Sequence, residues 1–201
     1  MLIVSFVTKN TDYEKTVKKY LIDSCEKFNL SYDIDYIEDK GSWNKNILYK
    51  SEFLKKMLLK HKQPIVSLDS DARILKYPHL FEEMNDYDIG VHTLDWGAQW
   101  HKPHSDKKEV LGGTLYFTYN DKVLSFLNEW ITITKTELGF PQKTLQKLLK
   151  ENKNNLKVYP IPYSYSTILT HKNTIPEHMI NPNEVVILHY QISRILKRKL
   201  R

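Results

Sequence analysis

Residues 64–71, Pro-Ile-Val-Ser-Leu-Asp-Ser-Asp, run an apolar stretch directly into two carboxylates. Ile65 to Leu68 reads as a buried strand. Two carboxylates leaving the end of such a strand repel each other unless a cation lies between them. Hard divalent cations take carboxylate oxygens, and Mg²⁺ typically bridges one or two protein carboxylates to the phosphates of a substrate. In an open α/β sheet, ligands bind just outside the carboxyl ends of the strands. Position and chemistry therefore agree for Asp69 and Asp71. The plainer alternative is an Asp-rich turn, since Asp and Ser are ordinary turn residues, and the rest of the chain has to decide.

The segments around this strand alternate. Leu2 to Val7 reads as a first buried strand, and Thr8-Lys9-Asn10-Thr11 as a polar loop in which Thr11 or Asp12 caps a helix. That helix carries Tyr13, Val17, Tyr20, Leu21, Cys25 and Phe28 at helical spacing. Tyr32 to Ile37 alternates polar and apolar, as a less buried strand does. A second helix is expected from about Asn44 to His61, ended by Gln63-Pro64. The order β-α-β-α-β builds a mostly parallel sheet. Further on, a short helix is expected around Pro78 to Met84 and strands at Asp88–Thr93, Thr114–Tyr119, Leu156–Pro160 and Glu184–Leu188. Helices are expected after Asn120 and from Pro141 to Lys150. Leu94 to Gly113 is the longest irregular segment, and loops of that length in compact domains are usually functional or disordered. Trp96 and Trp100 argue against disorder.

The 201 residues suit one α/β domain, assigned to residues 1–193, followed by a basic tail, 194–201. The tail holds five basic side chains and no acid. It therefore accounts for five of the six net positive charges and leaves the body at about +1. Such tails meet phosphates on nucleic acid or on anionic membrane surfaces, or simply solubilise a helix end. The single cysteine, Cys25, excludes an internal disulfide framework and falls on an apolar helix face, where it packs. No apolar run approaches 18 residues, so a soluble, cytoplasmic protein is expected, with the tail free to touch the inner membrane face or to act in a virus-infected cell.

A cation on Asp69 and Asp71 needs a further ligand. His189 follows the apolar run Val185-Val186-Ile187-Leu188 and so also stands where a buried strand ends. A mixed carboxylate and imidazole set suits Mn²⁺, or Mg²⁺, better than Ca²⁺. Such a metal neutralises a diphosphate leaving group and orients it.

Ile65 to Asp71, Gly112-Gly113-Thr114-Leu115-Tyr116-Phe117, Gln142 at the head of an apolar helix and the late His189 recur together, in this order, in a known family. The chain resembles the GT-A type nucleotide-diphospho-sugar transferases, glycosyltransferases with an Asp-x-Asp motif, from Leu2 to about Arg194. The resemblance implies a single-domain, Rossmann-like GT-A fold and a nucleotide-diphosphate sugar, UDP-linked, as donor. It implies that Asp69 and Asp71 hold metal and nucleotide, together with Ser70 between them, and that His189 completes the metal site. It implies that Thr8, Lys9, Asn10 and Thr11 hold the base, that Lys50 lies near the diphosphate and that Gly112 and Gly113 form a turn beside the donor sugar. Glycine would serve there by permitting close approach and unusual dihedrals. Arg194 has the donor fork to fold over the phosphates.

One position departs from the family pattern. Relatives often carry an acid directly before the glutamine, and here the pair is Pro141-Gln142. An inverting enzyme needs a carboxylate base near the acceptor hydroxyl; Glu137 and Asp95 are the substitutes. A retaining enzyme manages with the metal, the diphosphate and a polar group beside the reacting carbon, so the balance leans to retention, with Gln142 and Asp71 as catalytic residues. Asp95, Trp96 and Trp100 are assigned to the acceptor side, where aromatic faces stack on a sugar or a base. His101 and His104, near Asp106 and Glu109, match no metal-ligand spacing. The expected acceptor is a glycan or lipid-linked sugar, with a modified base in DNA as the alternative. The competing classes are a non-catalytic nucleic-acid-binding protein and a nucleotidyltransferase; the near-neutral body weighs against the first.

Overall fold

β1 (Leu2–Thr8) sends Leu2 and Val4 into one buried cluster and Ile3 and Val7 into another. A strand buried on both faces belongs inside a sheet covered by helices above and below. The computed structural model describes residues 1–97, 106–137, 140–170 and 172–194. Its further strands are β2 (Ser31–Ile37), β3 (Ile65–Leu68), β4 (Ala72–Ile74), β5 (Ile89–Asp95), β6 (Lys108–Phe117), β7 (Val158–Pro160), β8 (Thr167–Ile168) and β9 (Ile187–His189). Six of them form the main sheet in the order β2-β1-β3-β6-β5-β7. Only β6 is antiparallel to its neighbours, so the sheet is mostly parallel, as the β-α-β-α-β opening implies.

The helices cover both faces. α1 (Asp12–Val17) and α2 (Asp23–Lys27) are joined by a π-helical turn, Lys18–Ile22. Val17, Leu21 and Cys25 are all fully buried and repeat every four residues. On a pure α-helix that repeat drifts around the axis by roughly 40° per step, and the wider turn absorbs the drift. Burial pushes the Cys25 thiol up to about 12, which suits packing and not nucleophilic attack. On the opposite face, α4 (Lys50–His61), α5 (Asp121–Glu137) and α6 (Pro141–Glu151) pack Phe53, Leu54, Phe126, Trp130, Leu145 and Leu148 against the sheet.

Several boundaries differ from expectation. The helix expected from Asn44 to His61 is broken into α3 (Trp43–Ile47) and α4, with no Gly or Pro at the break. Tyr49 anchors the bend: its ring meets Phe6 edge-on at 5.6 Å and its hydroxyl donates to Asp35 at 2.9 Å. Pro78 to Met84 holds a single 3-10 turn, His79–Glu82, in place of a helix. Part of the segment expected to be irregular is strand, because β5 extends to Asp95 and β6 begins at Lys108, the two pairing antiparallel. Gly112 and Gly113 therefore lie inside a strand and not in a turn before one. They bulge: His92 pairs with Leu111 while its neighbour Val91 pairs with Leu115, so Gly112, Gly113 and Thr114 loop out of the β5 ladder.

β4 and β8 are too short to register in a periodicity reading. They flank β9 in a second, three-stranded sheet, β4-β9-β8, in which β4 runs antiparallel to β9. That small sheet is what carries the far end of the chain to the end of β3.

Candidate active site

The turn Asp69-Ser70-Asp71 leaves β3 at the carboxyl edge of the sheet. It is pinned by Asp69 N–H donating to the Gly113 carbonyl at 2.9 Å and by Ala72 N–H donating to the Asp69 carbonyl at 2.9 Å. The chain then enters β4, where Ala72 stands opposite His189 of β9. The register brings three potential ligands together: one ligand atom from each of Asp69, Asp71 and His189 lies within 4.8 Å of the others. Asp71 Oδ1 is 3.9 Å from His189 Nδ1. Its other oxygen, Oδ2, accepts from Ile192 N–H at 2.9 Å, and its carbonyl accepts from Tyr190 N–H at 3.2 Å. The carboxylate is thereby oriented by the segment that directly follows the histidine.

His189 is 1% exposed. Its Nε2 lies 2.8 Å from Thr114 Oγ1, and that hydroxyl donates its hydrogen to the Tyr165 carbonyl at 2.8 Å. With its only hydrogen committed, the Thr114 oxygen must accept, so Nε2 carries the imidazole proton and Nδ1 keeps a lone pair. Nδ1 is buried and has no hydrogen-bond partner. An unpartnered acceptor beside two carboxylates is the arrangement of a metal ligand whose outer nitrogen is fixed by a second residue. The donor set, two carboxylates and one imidazole, fits Mn²⁺ or Mg²⁺.

Around this centre lies a cleft of about 380 Å³. Lys50 lines this cleft. Its ammonium bonds Asp69 Oδ1 at 2.7 Å and the Gly112 carbonyl, with 13% of the side chain exposed. Gln142, at the head of α6, accepts from Gly112 N–H at 3.4 Å through Oε1 and donates from Nε2 to Glu109 Oε1 at 2.7 Å. Glu109 Oε2 accepts from Trp96 Nε1 at 2.8 Å and pairs with Lys107 Nζ at 2.9 Å. Burial works to raise the Glu109 carboxyl, but hydrogen bonds from Lys107, Trp96 and Gln142 and the Lys107 charge outweigh it, so its pKa lies below the usual value. Arg194, Gly112, Gly113 and Trp96 also wall this cleft.

A narrower pocket of about 130 Å³ adjoins it. Thr8 and Ser70 line it together with Tyr13, Trp43 and Asn46. Lys9, Asn10 and Thr11 do not. Lys9 pairs with Glu38, Asn10 makes the left-handed corner at φ 57°, and Thr11 caps α1 by accepting from Tyr13 N–H. Of the four loop residues expected at the base, Thr8 is the one that lines this pocket. Burial first, and then the Asp71 carboxylate, push the Tyr13 phenol up to about 12, so it stays protonated beside the acids.

Of the substitutes for the missing acid, Asp95 accepts from Gly97 N–H and does not wall the cleft. The Glu137 side chain, Trp100, His101, His104 and residues 195–201 lie outside the described residues. Glu109 is the acid that the sequence reading passed over. The signal available was its alternation with Leu111 ahead of the two glycines, which marks a strand continuing through them. Gly112 and Gly113 do stand beside the cleft, but not for unusual dihedrals: Gly41 is the one described glycine with positive φ. Gly113 instead provides room for the His189 ring.

No family model matches the chain, and no curated protein matches it in sequence. Solved structures do. A glycosyltransferase involved in the glycosylation of the major capsid of PBCV-1 matches at a TM-score of 0.68, over 100% of this chain and 98% of that one, with 13% identity. Mouse xyloside xylosyltransferase 1, in its apo form, matches at 0.57 over 95% of this chain and 97% of that one, with 10% identity. The glycosyltransferase GlyE of Streptococcus pneumoniae TIGR4 matches at 0.57 over 94% of this chain and 54% of its own, with 11% identity. At these identities the likeness is one of fold: the chain has the α/β GT-A-like fold that its motifs resemble.

Proposed function

We propose that this protein is a divalent-metal-dependent glycosyltransferase that moves a sugar from a nucleotide-diphosphate donor to a hydroxyl of a glycan or lipid-linked acceptor. One observation carries the reading: Asp69, Asp71 and the unpartnered Nδ1 of His189 converge at the carboxyl edge of the sheet, beside a cleft. The fold shared with solved glycosyltransferases supports it.

In this reading Asp69, Asp71 and His189 hold Mn²⁺ or Mg²⁺, which when bound neutralises the diphosphate of the leaving nucleotide. Thr8, Tyr13 and Trp43 receive the nucleoside, a uridine. Lys50 and Arg194 add positive charge at the phosphates. The sugar lies along Gly112, with Gln142 beside the reacting carbon and Glu109 fixing the Gln142 amide. Glu109 is held ionised with a depressed pKa, a poor match for a base working near neutral pH. That favours a retaining course in which Gln142, and no carboxylate base, stands at the reacting carbon.

The test is a thermal-shift screen of nucleotide sugars with Mn²⁺, followed by transfer and donor-hydrolysis assays. The expected result is stabilisation by one nucleotide sugar only when metal is present, with both activities lost in Asp71→Ala while its fold is retained. Full activity of that variant, or of the wild type in excess EDTA, defeats the mechanism. The anomeric configuration of the product, read by NMR, decides retention against inversion.

A further inference from the structure

Lys107 precedes β6 and Lys108 opens it, and Lys143, Lys147 and Lys150 follow at helical spacing along α6. The five ammonium-bearing chains line one groove of about 440 Å³. Gln146 stitches its two sides together: Oε1 accepts from Val110 N–H at 3.1 Å and Nε2 donates to the Lys108 carbonyl at 3.1 Å. Gln142, one turn earlier, makes the parallel stitch to Glu109. The walls are therefore fixed to each other by side-chain bonds. Glu109, paired with Lys107, is the one acid among the groove's lining residues. The groove so holds four net positive charges on a body, residues 1–193, whose whole net charge is about +1. Like charges lining one groove repel, and a bound multivalent anion relieves the repulsion.

Glu109 and Gln142 line both this groove and the main cleft. Whatever occupies the groove thus borders Gln142 without bordering Asp69 or Asp71, which line the cleft and not the groove. Resting on the glycosyltransferase reading above, we propose that the groove is the acceptor's anion subsite. It holds the phosphate or diphosphate of a glycosyl phosphate while the sugar of that acceptor presents its hydroxyl in the cleft. A groove built from one strand end and one helix suits one or two phosphates. A duplex needs a longer basic track along its phosphate ladder, and the near-neutral body does not provide one.

The test is a titration of the ¹⁵N-labelled full chain in EDTA with a panel of hexose phosphates and hexose diphosphates, each compared with its unphosphorylated hexose. The expected result is that phosphorylated members shift the amides of residues 107–110 and 143–150 and their neutral counterparts do not. Affinity should fall with rising ionic strength and by about tenfold or more in the Lys143→Gln, Lys147→Gln, Lys150→Gln triple variant. Tighter binding of the same headgroup on lipid vesicles identifies a lipid-linked source, and equal binding a soluble one; both support the proposal. Equal binding of neutral hexoses, shifts confined to other elements, an unaffected triple variant, or duplex DNA outcompeting every sugar phosphate overturns it. Donor hydrolysis with Mn²⁺, measured on the same variant, is expected to be unchanged. Its absence in the wild type would count against glycosyl transfer, not against the anion subsite.

Discussion

A β-carbon on Gly113 would lie 2.9 Å from Cε1 and 3.1 Å from Nδ1 of His189, so the histidine ring rests on bare backbone. The contact joins the bulged part of β6 to the end of β9, and it explains a glycine whose dihedrals are ordinary. Gly113→Ala must therefore push the ring off its position. Overpacking of this kind costs about 1–3 kcal/mol, and the expected result is a lowered Tm together with Mn²⁺ affinity weakened at least about tenfold. Gly112→Ala is the control, because its nearest contact is Gln142 Oε1 at 3.5 Å, an ordinary distance. Calorimetric titration of Mn²⁺ into both variants checks the difference.

Thr114 fixes which nitrogen of His189 carries the proton. Thr114→Val keeps the shape and removes both hydrogen bonds, leaving a buried imidazole N–H and the Tyr165 carbonyl without this partner. The expected cost is about 1–3 kcal/mol of stability and a roughly 10- to 100-fold loss of metal affinity. Thr114→Ser restores the hydroxyl and should recover most of the affinity. Equal behaviour of the serine and valine variants would mean that packing, and not the proton, is what Thr114 supplies.

Glu109 sits with its pKa below the ordinary carboxylate value, held by Lys107, Trp96 and Gln142 against the opposing effect of burial. A carboxyl with a depressed folded pKa contributes stability above its unfolded value, near 4.5, and loses that contribution as pH falls through the folded value. Glu109→Gln should flatten the acid limb of the Tm–pH curve below about pH 4.5. It should also slow transfer, because the glutamine amide is no longer held by a charged acceptor.

His92 is 6% exposed, its Nδ1 bonded to the Ile161 carbonyl at 2.8 Å, and burial holds its pKa below 6.5. The unfolded chain binds the proton first, so stability is full above about pH 6.5 and declines as pH drops below that value toward the folded pKa. A stability curve measured between about pH 5 and 7.5 should slope upward with pH. His92→Gln should remove much of that slope, whatever it does to the absolute Tm.

The sheet, its mostly parallel order and the two faces it buries were legible in the chain, because runs such as Leu2 to Val7 and Ile65 to Leu68 carry their burial in their composition. So was the carboxylate pair, since two acids closing a buried strand are a local chemical anomaly. What the sequence determined about His189 was its place at the end of another apolar run. Its approach to Asp71 was decided by β4 and β9, a pairing in which Ala72 meets His189 through backbone hydrogen bonds that any residue type but proline can make. The same holds for Thr114, whose side chain is ordinary for a strand and gains its role only when the Tyr165 carbonyl and the imidazole close on it from elements far along the chain. Glu109 and the lysines of α6 follow the same rule: their types are written locally, but the groove and the hold on Gln142 exist only where β6 and α6 lie side by side. Burial patterns are one-dimensional and survive in sequence, whereas register and long-range convergence are set by the packed backbone.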